Sequence, residues 1–234
     1  QKMQKRKIAI LTALVLMMVT CHSSFAFAEA NEQPAINGNQ LQVLSLDQDN
    51  NEQHLIVSEN GIVTDINTTT TEDTVKTILQ NQETGEVSYF IVDKNNNTLY
   101  SSITRETIDI GEEVQNIKAA YAKASKPPAT KTLKISYNKI YKALDKTATK
   151  TTIASLILTF VTAALPFPVL TTVALLINSF SYVLSMVVQK MKSSGKTSKS
   201  HGVKVGLKRA TYKKHQAGKV FYYYKYKITS LATY

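Results

Sequence analysis

Cysteine is nearly absent from this chain, and proline and glycine are scarce. The 234 residues include one cysteine, Cys21, no tryptophan, five prolines and eight glycines. One thiol cannot form a disulfide framework within the chain. The fold must therefore rest on the packing of apolar side chains.

Recognisable catalytic motifs are also missing. The chain has no Gly-x-Ser-x-Gly, no phosphate loop, no His-Glu-x-x-His and no credible pair of catalytic carboxylates. Asp47 and Asp49 begin an alternation typical of a calcium loop, but Glu52 stands where glycine is needed and Ser58 where a bidentate glutamate belongs. We therefore expect a non-enzyme with no catalytic residues, no metal site and no cofactor.

Residues 1–28 have the pattern of a cleavable signal peptide. A basic start precedes an apolar run over 8–19, and Ala26 and Ala28 supply the small residues before the cleavage point. The run would form a helix of about 18 Å, which is too short for a hydrocarbon core of about 30 Å. The rival interpretation, a lipidated Cys21, lacks a suitable lipobox because Met18 and Thr20 precede it. We expect a secreted, extracellular protein that begins at Glu29.

Charge divides the expected mature chain into two halves. Residues 29–114 contain 16 acids and three bases, whereas residues 115–234 contain 21 bases and one acid, Asp145. Ser125 to Thr130 includes tandem prolines and is typical of a linker. The predicted organisation is an acidic domain over 29–124, a linker over 125–130 and a basic domain over 131–234. The halves could mask each other electrostatically or simply pack together.

The acidic half alternates strand patterns with polar turns. Two hairpins are predicted, over 41–58 and 87–103, and two helices, over 71–79 and 112–124. The fold class is therefore α+β, with a small acidic sheet-plus-helix domain followed by the basic region.

The most specific feature is a charge-free stretch in the basic half. Residues 151–189 are 39 residues without a charged side chain, interrupted by Pro166 and Pro168. Proline disfavours helix at the residue before it, so we expect an apolar helical hairpin with helices over 151–165 and 169–189. The second helix would be about 31 Å long, enough to cross a bilayer. A buried core hairpin would have the same pattern.

If the hairpin inserts, one group of residues should enter the membrane and a second group should contact its surface. The predicted insertion residues are Leu156, Leu158, Phe160, Pro166, Pro168, Leu175, Leu176, Phe180 and Val187. The predicted contacts with an anionic membrane surface are Lys134, Lys139, Lys142, Lys146, Lys150, Lys190 and Lys192. The first five of these lysines lie on a basic amphipathic helix expected to start near Leu133.

A tyrosine-rich and lysine-rich β-hairpin is predicted over 203–228. Val220, Tyr222, Tyr224, Tyr226 and Ile228 alternate with Phe221, Tyr223, Lys225 and Lys227. Packing against a sheet is the first expectation for the tyrosines, a bilayer interface the second and nucleic acid the third.

The whole architecture resembles the large, unmodified secreted bacteriocins of the geobacillin type. The resemblance rests on the Ala26-Phe27-Ala28 signal, the acidic hairpins, the 151–189 hairpin and the tyrosine-lysine tail. The apolar hairpin also resembles, in outline, that of pore-forming colicins. The resemblance implies a membrane-active, pore-forming antimicrobial toxin that kills related Gram-positive bacteria. Its partners would be an anionic bacterial membrane, a cell-surface receptor and a cognate immunity protein.

Two other functions fit the same sequence. An apolar helix behind a signal peptide, followed by lysines, also suits a membrane-anchored surface protein. The basic half alone suits a secreted protein that binds polyanions or the cell wall.

Overall fold

The computed structural model describes residues 42–48, 52–112, 114, 127–166, 169, 171–193, 198–216 and 219–234. The predicted signal peptide, its cleavage site at Ala26 and Ala28, and most of the helix expected over 112–124 lie outside these ranges. We number strands and helices in chain order.

A seven-stranded antiparallel sheet forms from the acidic half, with strands in sequence order from β1 to β7. Each strand pairs with the next along the chain, so the sheet is a meander. Both predicted hairpins are confirmed, as β1 with β2 and β5 with β6. The strands are β1 Gln42–Gln48, β2 Glu52–Glu59, β3 Ile62–Thr70, β4 Thr74–Asn81, β5 Val87–Asp93, β6 Thr98–Ser101 and β7 Glu106–Asp109.

The helix predicted over 71–79 is wrong, because this segment is strand β4. Val75, Thr77 and Leu79 are buried in alternation with more exposed neighbours, which is the period of a strand. Four of the eight strand residues are β-branched, and they pair on both sides with β3 and β5. Pairing with two neighbouring strands outweighs the weak helical spacing of the apolar residues.

The basic half forms a second antiparallel sheet of three strands, in the order β10-β9-β8. Its strands are β8 Thr130–Ser136, β9 Gly202–Gln216 and β10 Lys219–Thr233. The predicted C-terminal β-hairpin is therefore confirmed, and both of its strands extend beyond the predicted bounds.

Helix α1 spans Tyr137–Leu144, and a short 3₁₀ turn, Asp145–Thr147, follows it. The basic helix was expected to start near Leu133, and that start is wrong. Leu133 and Ile135 are buried within β8, which pairs with β9. The Ser136 side chain then caps the helix by accepting a hydrogen bond from the backbone N–H of Lys139.

The predicted apolar helical hairpin is present as helix α2, Lys150–Ala164, and helix α3, Val173–Ser193. Thr149 and Thr152 form a capping box at the start of α2. Helix α2 ends where Leu165, the residue before Pro166, adopts an extended backbone. Helix α3 starts four residues later than expected, because Val169 forms a parallel bridge with Tyr226 of β10.

The buried side chains of the described residues form a core that includes residues from both charge halves. Helix α2 packs on β4 and β5 of the large sheet, and α3 packs on α2 and on β10. The change of charge along the chain therefore does not divide the core. The fold is α+β, with the apolar hairpin in contact with both sheets.

Candidate membrane-active element

Helix α2 is almost completely enclosed. Twelve of its 15 residues are buried. Among the predicted insertion residues, Leu156 and Phe160 are 0% exposed and Leu158 is 1% exposed. In this state of the protein, α2 has the environment of a core helix.

Polar contacts between α2 and the large sheet are made by threonines. The hydroxyls of Thr77 in β4 and Thr159 in α2 share a hydrogen bond of 2.8 Å. The Thr77 hydroxyl also lies 3.1 Å from that of Thr68 in β3. The Thr159 hydroxyl donates its hydrogen to the backbone carbonyl of Ser155, at 2.8 Å. A buried ladder of three threonines thus joins the sheet to the middle of α2.

Ser155, one turn before Thr159, is also a buried polar residue, but it differs from the threonines in its hydrogen bonding. Its side chain is 0% exposed, and its hydroxyl is the one buried side-chain N or O atom among the described residues that lacks a hydrogen-bond partner. An unsatisfied buried hydroxyl costs about 1–3 kcal/mol of stability. The polar stripe of α2 is therefore only partly satisfied by the fold.

Glu59, at the end of β2, binds the start of α2. Its carboxylate accepts hydrogen bonds from the backbone N–H groups of Lys150 and Thr151, at 3.2 and 3.0 Å. The Thr151 hydroxyl donates to the same carboxylate at 2.6 Å. A carboxylate at a helix N-terminus is stabilised by the unpaired N–H groups and by the helix dipole. No local sequence pattern indicates this role of Glu59, because the contact joins residues 91 positions apart.

Helix α3 is far less enclosed than α2, with seven buried residues out of 21. Leu176 and Val187 are buried, whereas Leu175 is 52% exposed and Tyr182 is 77% exposed. Phe180 is half-buried, and its backbone is non-helical, so it kinks α3.

Two predicted insertion residues belong to the connection between the helices. Pro166 is exposed, and Pro168 lies outside the described residues.

The polar residues of α3 and of the segment before it are partly tied into the fold. The Thr171 hydroxyl accepts a hydrogen bond of 2.7 Å from the backbone N–H of Ile228 in β10. The ammonium of Lys150 donates to the Ser181 hydroxyl at 3.0 Å. These bonds connect the segment before α3 to β10, and α3 itself to the first residue of α2.

The predicted surface lysines are distributed around this element. Five are exposed, namely Lys134, Lys142, Lys146, Lys190 and Lys192, and two are half-buried, namely Lys139 and Lys150. The Lys134 ammonium lies 5.2 Å from the centre of the Tyr234 ring. The structure thus leaves most of these charges available to an anionic surface.

The far half of the β9–β10 hairpin carries exposed aromatic residues that were not among the predicted site residues. Tyr212, Phe221, Tyr222 and Tyr223 are between 37% and 56% exposed. The alternation in β10 predicted which of these side chains share a face. It did not indicate that both faces would be exposed.

No group of histidine, cysteine, aspartate and glutamate suited to a metal ion occurs within the described ranges. In the same part of the chain, α3 alone is long and apolar enough to cross a membrane, a property it shares with the core helices of some soluble proteins. No family model, no curated protein and no solved structure matches this chain.

Proposed function

We propose that this chain is a secreted antibacterial protein, a bacteriocin that kills related bacteria by inserting the α2–α3 hairpin into their membrane. It acts without catalysis, outside the cytoplasm, and its partner is an anionic bacterial membrane. The observation that carries the proposal is a charge-free hairpin of 39 residues, one helix of which already exposes Leu175 and Tyr182.

The energetics of α2 support transfer from the protein core to a bilayer. Its apolar side chains are out of water in the fold and would remain out of water among lipid chains, which are about as apolar as leucine. The main losses are therefore the hydrogen bonds that Glu59 and Thr77 make with α2. The buried Ser155 hydroxyl has no partner in the fold, so it adds no hydrogen bond to these losses.

The charges around the hairpin support attraction to an anionic leaflet. Residues 115–234 contain 21 bases and one acid, and each lysine near such a surface contributes about 1 kcal/mol. Lys150 and Lys190 stand at the two ends of the charge-free stretch, where their side chains can reach the headgroups.

The test compares two variants that add one charge at an exposed position. Tyr182, near the middle of α3, is 77% exposed, so Tyr182→Lys should leave the folded state intact. A lysine at the centre of a membrane helix costs about 2.5–3.5 kcal/mol, so dye release from anionic vesicles should fall by about two orders of magnitude. Val87→Lys, at a 52% exposed position of β5, is the matched control and should release dye like the parent.

Killing of sensitive cells should follow the same order as dye release. If folded Tyr182→Lys releases dye and kills cells at the parental rate, insertion by this hairpin is excluded. Binding of a polyanion such as teichoic acid, which the basic half favours, would then be the better function.

A further inference from the structure

Among the described residues, the far half of the β9–β10 hairpin pairs with no third strand. Strand β8 pairs with β9 only from Gly202 to Lys208, and the next contact, from the Arg209 N–H to the Ala129 carbonyl, ends this pairing. Beyond it, residues 210–216 and 219–225 pair only with each other among the described residues. We call these residues the β-arm. Seven residues of strand extend about 23 Å.

Exposed apolar side chains are concentrated on the β-arm. Five of the nine large apolar residues that are exposed within the described ranges lie there. They are Tyr212 (37%), Val220 (46%), Phe221 (50%), Tyr222 (56%) and Tyr223 (44%). Single exposed apolar residues are normal, but a contiguous group of them marks an interaction surface. A two-stranded hairpin is also marginally stable alone in water, so a surface that buries these side chains would stabilise it.

Cations are interleaved with these rings on both faces of the β-arm. On one face Lys213 pairs with Tyr222, and its ammonium lies 5.7 Å from the ring centre. On the other face Tyr212 and Tyr223 stack with their centres 5.2 Å apart, and the Lys225 ammonium lies 6.0 Å from the Tyr212 ring. From Gly202 to Tyr234 the chain has eight lysines and arginines and no acid.

We propose that the β-arm docks the protein onto the headgroup region of an anionic phospholipid membrane, before the helical hairpin inserts. Tyrosine rings and lysine ammonium groups together suit this region, where one end of each side chain is apolar and the other polar. Each lysine near the phosphates adds about 1 kcal/mol of attraction.

Two features favour lipid over single-stranded nucleic acid as the partner. Base stacking needs open ring faces, whereas the Tyr212 ring is stacked on Tyr223 and the Tyr222 ring carries the Lys213 ammonium. Val220 and Phe221 have no polar side-chain atoms and gain free energy only by leaving water, as they would at the boundary with the acyl chains.

The docking inference rests on the proposed function, which supplies the membrane as the partner. Its test measures binding to vesicles, whereas the test of the proposed function measures dye release. Binding of the secreted chain, from Glu29, to phosphatidylglycerol-rich vesicles is measured by sedimentation, independently of dye release. The double variant Phe221→Thr with Tyr222→Thr keeps β-branched strand residues and should bind at least ten-fold more weakly. Ile62→Thr with Val87→Thr, at 46% and 52% exposed positions of the large sheet, is the matched control and should bind like the parent.

A variant that removes two lysine charges tests the electrostatic contribution to vesicle binding. Lys213→Gln with Lys214→Gln should weaken binding by about 25-fold, or five-fold for each lysine, and phosphatidylcholine vesicles should bind far less of the parent. Only variants whose thermal melting matches the parent are compared. A β-arm variant should also release as much dye per bound molecule as the parent, whereas Tyr182→Lys should bind normally and release about two orders of magnitude less dye.

The docking inference is overturned if both β-arm variants sediment with the vesicles like the parent. It is equally overturned if a single-stranded oligonucleotide binds the β-arm more tightly than the vesicles do. A third contrary result would be that light scattering shows the β-arm substitutions dissociating a dimer without changing vesicle binding. None of these results depends on whether Tyr182→Lys abolishes dye release.

Discussion

Helices α2 and α3 come from one charge-free stretch of sequence, yet they occupy different environments. Twelve of the 15 residues of α2 are buried, against seven of the 21 residues of α3. Helix α2 is covered by the large sheet, by α1 and by α3, whereas α3 packs mainly on α2 and β10 and leaves Leu175 and Tyr182 exposed. The proposed membrane-active element therefore has an enclosed part and an accessible part. Composition alone does not distinguish them.

The largest expected difference between the helices is in their tolerance of charge. Leu158→Lys in α2 puts an unpaired charge at a 1% exposed position and should destabilise the fold by about 3–5 kcal/mol. Tyr182→Lys in α3 should change the free energy of unfolding by less than about 0.5 kcal/mol. Urea unfolding followed by circular dichroism measures both. Similar losses in the two variants would show that α3 is as enclosed as α2.

The second prediction concerns the start of α2, which is bound by Glu59. Glu59→Gln removes the charge that binds the first N–H groups of α2, and we expect a loss of about 1–2 kcal/mol in the free energy of unfolding. Glu86→Gln is the control and should have almost no effect, because Glu86 is an exposed carboxylate that lines the same open pocket as Glu59. Equal stability of the two variants would mean that Glu59 does not hold α2.

The smallest expected effect is a gain in stability, opposite in sign to the two predicted losses. Ser155→Ala removes an unpaired buried hydroxyl from α2, so the free energy of unfolding should rise by about 1 kcal/mol. Ser185→Ala in α3 is the comparison, because the half-buried Ser185 hydroxyl donates to the Ser181 carbonyl at 3.0 Å. That variant should be neutral or slightly destabilised. Destabilisation by Ser155→Ala would show that the Ser155 hydroxyl has a partner.

The sequence predicted the elements whose patterns are local. The paired hairpins, the apolar helices and the C-terminal β-hairpin follow from alternation, turn residues and the break at Pro166, and the structure confirms them. Strand β4 was predicted as a helix, because Val75, Ile78 and Leu79 are also compatible with helical spacing. Sheet pairing on both sides decided its conformation.

The features that the sequence could not indicate depend on long-range contacts. The Thr77–Thr159 bond joins residues 82 positions apart, and no local pattern marks either threonine as its partner. The exposure of the β-arm depends on where β8 stops pairing, because the same alternation describes a strand covered on one face. The charge pattern did not indicate which residues form the core, since residues of both halves pack together.

The central claim is that α2 must leave the large sheet for the protein to permeabilise a membrane. A disulfide between α2 and β4 tests it, because the Thr77 and Thr159 hydroxyl oxygens lie only 2.8 Å apart and two cysteines there should be within bonding reach. The variant is Thr77→Cys with Thr159→Cys in the secreted chain from Glu29, which contains no other cysteine. Its control is Thr68→Cys with Thr77→Cys, a cross-strand pair that closes a disulfide within the sheet and leaves α2 free.

The measurement is dye release from anionic vesicles before and after reduction of each disulfide. The oxidised Thr77–Thr159 pair should release dye at least ten times more slowly than its reduced form, and the sheet control should release dye equally in both states. If the oxidised pair, with its disulfide verified by mass spectrometry, releases dye as fast as its reduced form, α2 does not leave the sheet and the proposed mechanism is wrong.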